Sequence, residues 1–153
     1  MKLAVANGTI EGQIGLLDGN GMAACAGARV YLLLRPIELD PIKRKAMVET
    51  GVLNPRLANL YLDMVISAPE TRQRLAYATA RTDGGGGFTF ADLPPDRWYY
   101  VTAQAFPSDA MVSWQVGIYL RQGERVQVVL TNTNAALPVY APPRVNITAD
   151  EAR

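Results

Sequence analysis

Between Arg81 and Ala103 the chain reads RTDGGGGFTFADLPPDRWYYVTA. Four consecutive glycines supply a turn, because glycine takes up positive φ at little steric cost. Phe88 and Phe90 follow two residues apart, the spacing that puts both rings on one face of a strand. Pro94-Pro95-Asp96 then reverses the chain, and Arg97 to Phe106 is a long run of strand-forming residues. The order is turn, strand, turn, strand, and a chain carrying it is constrained to pair strands and bury one face of them.

The same idiom recurs elsewhere. From Thr9 to Leu17, Ile10, Gly12, Ile14 and Leu16 alternate with Thr9, Glu11 and Gln13, which is strand periodicity. Asp18-Gly19-Asn20-Gly21 is a turn. Ala28 to Arg35 is a second strand, with Ala28, Val30, Leu32 and Leu34 on one face and Arg29, Tyr31, Leu33 and Arg35 on the other; Pro36 ends it. Later strands are expected over 74–82, 88–91, 97–106, 113–121 and 125–131. In the last two, Trp114, Val116, Ile118 and Leu120 share a face, and Val126, Val128 and Leu130 point inward. Gln122-Gly123-Glu124 is a tight connection.

Residues 37–70 break the pattern. Asp40-Pro41 and Asn54-Pro55 both read as a cap followed by proline at the first helical position. The first predicts a helix over 42–50 with a stop at Gly51. After the second, Leu57, Leu60, Tyr61, Met64 and Val65 follow the spacing of one helical face, and Pro69 lies just beyond. The expectation is a single β-sandwich domain over 1–153, carrying a two-helix insertion between its second and third strands. Residues 138–153 form a Pro-rich arm, read as an edge strand, an extended segment or a disordered tail.

Composition narrows the function classes. With 15 basic and 14 acidic residues the chain lacks the basic excess that phosphate neutralisation requires, so nucleic acid is not expected as a partner. Histidine is absent, which removes Ser-His-Asp and Cys-His catalysis and every His-based metal site. The single cysteine, Cys25, forms no internal disulfide and reads as a buried thiol. No stretch is long and apolar enough for a membrane span. Met22-Ala23-Ala24-Cys25 resembles a lipoprotein cleavage box only faintly, since Asp18 to Gly21 stand where an apolar segment belongs.

Two blocks, IEGQIGLLDGNGMAACAGARVYLL and ARTDGGGGFTFADLPPDRWYYVTA, resemble the carboxypeptidase regulatory-like domain family. The likeness rests on Gly27-Ala28-Arg29-Val30 in the first block. In the second it rests on Thr82-Asp83, Gly87, Phe88, Phe90, Leu93-Pro94, Tyr99, Val101 and Ala103. It covers roughly residues 8–35 and 74–132 and implies a mainly β fold, a seven- or eight-stranded Greek-key β-sandwich of transthyretin-like shape. Asp96 stands where the family usually has glycine, four glycines replace a single one, and the helical insertion is additional. Related folds with iron or hydrolase chemistry depend on histidine, so neither activity carries over. The resemblance implies a non-enzymatic extracytoplasmic domain (periplasmic, cell-surface or secreted), with its export signal outside the present sequence.

If Tyr99, Val101, Ala103 and Ala105 face the core, then Trp98, Tyr100, Thr102, Gln104 and Phe106 face outward, and Tyr31, Leu33 and Tyr119 join them by the same alternation. Tyr31, Trp98, Tyr100, Phe106 and Tyr119 are therefore the candidate interface or ligand face. Apolar faces are most often core, so the inserted helices are one expected cover. The others are a protein partner or self-association, and a glycan stacked on Trp98, Tyr100 or Trp114. Lys43-Arg44-Lys45 reads as a solvated helix face. Asp18, Asn20, Asp83 and Asp92 read as turn formers and not as Ca²⁺ ligands, because no D-x-D-x-D-G loop is present. Asn7-Gly8-Thr9 and Asn146-Ile147-Thr148 match the N-glycosylation triplet. No catalytic residue, metal site or cofactor is expected.

Overall fold

A computed structural model describes residues 5–47 and 51–142. Eight strands form two four-stranded sheets. They are β1 (Gly8–Asp18), β2 (Gly21–Ala24), β3 (Arg29–Leu33), β4 (Ala76–Arg81), β5 (Gly87–Leu93), β6 (Arg97–Ala105), β7 (Val112–Leu120) and β8 (Arg125–Leu130). In the first sheet β1 pairs antiparallel with β2 and β5 and parallel with β8; the second sheet has the order β4-β3-β6-β7. The expected mainly β, Greek-key sandwich is therefore what the chain forms.

The sandwich core fills as the alternation predicts except at Leu34, expected to face in but exposed because β3 ends at Leu33. Ile10 and Ile14 from β1, Val30 and Leu32 from β3, Phe88 and Phe90 from β5, and Tyr99, Val101 and Ala103 from β6 all lie inside. Trp114 is fully buried among them, and its indole N–H donates to the Thr131 carbonyl at 2.7 Å. Burial of each large side chain here stabilises the fold by roughly 1.5–3 kcal/mol. At the Pro-Pro turn, the Tyr99 hydroxyl donates to the Pro94 carbonyl at 2.6 Å, and Asp96 has φ 61°. That left-handed backbone is the reason a glycine is usual at this position, and aspartate is among the residues that tolerate it.

Of the four consecutive glycines, Gly86 is the one the fold requires. Its φ is +79°, and a Cβ there would sit 2.3 Å from the Ile14 carbonyl oxygen of β1. A Cβ on Gly84 would meet nothing within 4 Å. The Asp83 carboxylate closes the turn by accepting from the Gly85 and Gly87 N–H groups, both at 2.9 Å. Asp18 does the same for Asn20 at 2.7 Å. Both are turn formers, as expected.

The insertion departs from expectation in four ways. It lies between the third and fourth strands, because the short return strand β2, exposed along its whole length, carries no alternation to announce it. It contains three helices: α1 (Leu39–Lys45), α2 (Pro55–Ser67) and α3 (Pro69–Arg74). Pro69 starts α3 at the first helical position, so β4 begins at Ala76 and not at Arg74. Helix α1 starts earlier than the Asp40 cap predicted and ends at Lys45; residues 48–50 of the expected helix lie outside the described residues. Finally, α2 buries a different stripe. Its Asn54 cap is as read, accepting from the Leu57 N–H at 3.1 Å, but the inward residues are Ala58, Asn59, Leu62 and Ile66. Met64 and Val65, expected to face in, are exposed. Met64 and Val65 share the helical spacing but sit about one residue's rotation from the face that meets the sheet.

These helices form a third layer over the outer face of the second sheet. Tyr31 and Leu33 of that sheet meet Ile42, Ala46, Ala58, Leu62 and Ile66 in a second apolar cluster closed by Leu137.

Candidate functional site

Sheet alternation does turn Tyr31, Trp98, Tyr100, Phe106 and Tyr119 away from the sandwich core, but the helical layer divides them into three groups. Tyr31 is nearly buried against the helices, at 6% exposure, and only its margin reaches a surface cleft. Phe106 lies just past the end of β6, exposed, with the Arg29 guanidinium 5.6 Å from its ring centroid. Trp98 and Tyr119 remain exposed together at the uncovered end of the sheet, with Tyr100 half-buried beside them against the helical cluster. Trp114, considered for sugar stacking, is in the core.

The geometry of this trio follows from strand register. Trp98 and Tyr100 are two apart on β6, and Trp98 is paired directly with Tyr119 of β7. The Trp98 and Tyr100 rings lie 6.3 Å apart with planes within 19°; Tyr119 meets Trp98 edge-on at 5.6 Å and 71°. Gly117, opposite Tyr100, leaves the room they occupy: a Cβ on it would come 3.1 Å from the Tyr100 ring. Trp98 is 53% exposed and Tyr119 40%. An aromatic patch left that open lacks the cover such side chains ordinarily find.

The patch adjoins an open sheet edge. Strand β7 is the last of its sheet. Near its start the Ser113 carbonyl accepts from Ala136 at 2.8 Å, and Met111 exchanges two bonds with Tyr140 at 2.9 and 3.0 Å. The first part of the Pro-rich arm is thus an edge segment; its residues 143–153, with Asn146-Ile147-Thr148, lie outside the described residues. Strand alternation aims the N–H and C=O groups of Gln115, Gly117 and Tyr119 the same way, and there they have no backbone partner among the described residues. The stretch Gln115-Val116-Gly117-Ile118-Tyr119 carries neither charge nor proline, the usual guards of an exposed edge.

Beyond the patch, the outer face becomes polar and closed. Gln104 donates to the Asn59 carbonyl at 3.1 Å and to the Ser113 hydroxyl at 3.0 Å; Ser113 donates to Asn59 Oδ1 at 2.6 Å. Asn59 Nδ2 donates to the carbonyls of Pro55 (2.7 Å) and Pro138 (3.0 Å), tying the arm to α2. Gln115 clasps Ile37 through both its amide atoms at 2.8 Å. Sequence reading placed Gln104 on the outer face but missed this lock, because nothing local shows that Asn59 of a helix lands on two strands 45 and 54 residues away.

Cys25 is buried, and burial pushes its thiol above the ordinary range. Lys45 of the basic run sits 4.9 Å from the Tyr61 ring centroid, at the helix surface. Among the described residues no group of three or more His, Cys, Asp or Glu side chains is placed to hold a metal ion, and no helix is long and apolar enough to cross a membrane.

No protein-family model matches the chain, and no curated protein matches it in sequence. Solved structures do align with it. A minor pilin of the Gram-positive pathogen Streptococcus agalactiae aligns at 14% identity over 92% of this chain and 48% of its own, with a TM-score of 0.51; this chain spans about half of that pilin. A candidate carbohydrate-binding protein of Pseudomonas aeruginosa aligns at 19% identity over 83% of this chain and 89% of its own, with a TM-score of 0.47. At such identities the likeness to the pilin speaks to architecture alone, and that architecture is a β-sandwich.

Proposed function

We propose that this chain is a non-catalytic interaction domain of a surface or secreted assembly, and that it docks a protein partner, or a second copy of itself, at the Trp98–Tyr100–Tyr119 end of the second sheet. The observation carrying this reading is the meeting of exposed aromatics with an unguarded edge. An added strand would gain main-chain hydrogen bonds from Gln115, Gly117 and Tyr119, and its side chains would pack on Trp98 and Tyr119. Trp and Tyr are also the side chains most often found to anchor interfaces. The extracytoplasmic setting is part of the proposal, supported by the resemblance to carboxypeptidase regulatory-like domains; fractionation of the native host tests it.

One feature favours a second reading, a carbohydrate-binding module. The exposed Trp98 ring, with Tyr100 nearly parallel beside it, is a side chain of the kind that stacks on a pyranose. Light scattering over a wide concentration range, with pull-down from the native host, separates the two when run beside a glycan array. Association or a recovered partner that Trp98→Ala abolishes supports the protein reading. Array hits lost in the same variant, without association, support the glycan reading. A monomer with no partner and no glycan refutes both.

A further inference from the structure

On the far side of the helical layer, β3, β4 and α3 bring three arginines together. Arg29 and Arg81 are directly paired across β3 and β4, and Arg72 of α3 lines the same cleft of about 400 Å³ with Tyr31 and Thr79. Arg29 and Arg81 also line an adjoining cleft of about 390 Å³ that ends at Phe106. Like charges directly opposite on neighbouring strands repel. Within the described residues, one carboxylate answers them: Asp63 of α2 pairs with Arg29.

The three guanidiniums are unequally engaged. Arg29 is fixed on three sides, by Asp63, by the Ser67 hydroxyl at 3.3 Å and by the Phe106 ring. Arg81 spends one N–H on the Gly27 carbonyl at 3.1 Å, and Arg72 has no ion-pair partner among the described residues. Each guanidinium carries five donors in a planar fork matched to carboxylate and phosphate oxygens. Among the described residues most of the fifteen or so donors available by that count are therefore unspent, in a concave site of the size small ligands occupy.

We propose that this cleft is an oxyanion-binding site, taking a carboxylate- or phosphate-bearing ligand through Arg72 and Arg81, with Arg29 as the preformed wall. The site is independent of the Trp98 patch, and either proposal stands if the other falls. Arg72 and Arg81 are both exposed, so their replacement leaves the core untouched.

The test is titration calorimetry on the full chain with three probes: a galacturonate trisaccharide, inorganic phosphate, and a neutral trisaccharide as control. The expected result is saturable binding of at least one anionic probe, weakening as salt rises. R72Q/R81Q should reduce that affinity by about tenfold or more. R81Q alone should leave the melting temperature unchanged or raise it, since it removes a like-charge pair. Preference for the trisaccharide identifies a carboxylated glycan as the source, and preference for phosphate a phosphorylated ligand. No anionic binding at physiological ionic strength, equal binding of the neutral sugar, or affinity unchanged in R72Q/R81Q overturns the proposal.

Discussion

Replacing Asn59 with alanine tests whether the helical layer is locked to the sheet by its buried polar network or only rests on it. Asn59 is fully buried, and its side chain makes three hydrogen bonds, one received from Ser113 and two donated to Pro55 and Pro138. The substitution strands the buried Ser113 hydroxyl donor, at a cost of about 1–3 kcal/mol, and removes two donated bonds of about 1 kcal/mol each, some of which water and relaxation recover. The expected loss is roughly 3 kcal/mol. For a chain of this size that corresponds to a melting temperature lowered by roughly 6–12 °C. Urea denaturation followed by far-UV and tryptophan signals measures it, with Ser113→Ala and the double variant completing a cycle. Because Ser113→Ala removes the donor that Asn59→Ala strands, the double variant should cost about 1 kcal/mol or more less than the sum. A loss under about 1 kcal/mol for Asn59→Ala, or simple additivity, would refute the lock.

Three further outcomes follow from the geometry. Gly86→Ala should destabilise by roughly 2 kcal/mol or more in thermal melts, as positive φ and a clash with the Ile14 carbonyl combine, whereas Gly84→Ala should be near neutral. Equal effects would dismiss the assignment of the essential turn position. Arg125, and secondarily Gln127, hydrogen-bond Glu11 and hold its carboxyl at about 2, down from 4.5. Its folded value being depressed, the clamp's stabilisation is present above pH 4.5 and is lost as pH falls through about 2. Glu11→Gln should therefore flatten the pH dependence of stability across that window, and an unchanged acid limb would contradict the clamp. Tyr99→Phe keeps the ring and removes the bond to Pro94, so chemical denaturation should report a loss of about 1 kcal/mol, and no loss would show that bond to be idle.

Much of the sandwich was legible because strand burial is a local signal. Ile10 and Ile14, Phe88 and Phe90, or Tyr99 and Val101 declare a common face by period two, whatever they later pack against. The Asn54-Pro55 helix start was equally local. The inward face of α2 was not. Met64 and Val65 are as apolar as Leu62 and Ile66, and only the crossing of the helix over the sheet decides which pair is covered. Strand β2, with four exposed residues, forms because the end of β1 offers it a partner.

The candidate site divides along the same line. The sequence by itself determined that Tyr31, Trp98, Tyr100, Phe106 and Tyr119 leave the sandwich core, since alternation is a property of the extended backbone. Tertiary structure alone decided that Tyr31 packs against α2, that Phe106 stands under Arg29, and that Trp98 and Tyr119, with half-buried Tyr100 beside them, share one patch. Likewise, no sequence pattern sets Arg29, Arg72 and Arg81 around one cleft. Exposure and juxtaposition are relations between segments far apart in the chain, and they exist only once the helical layer has settled on its sheet.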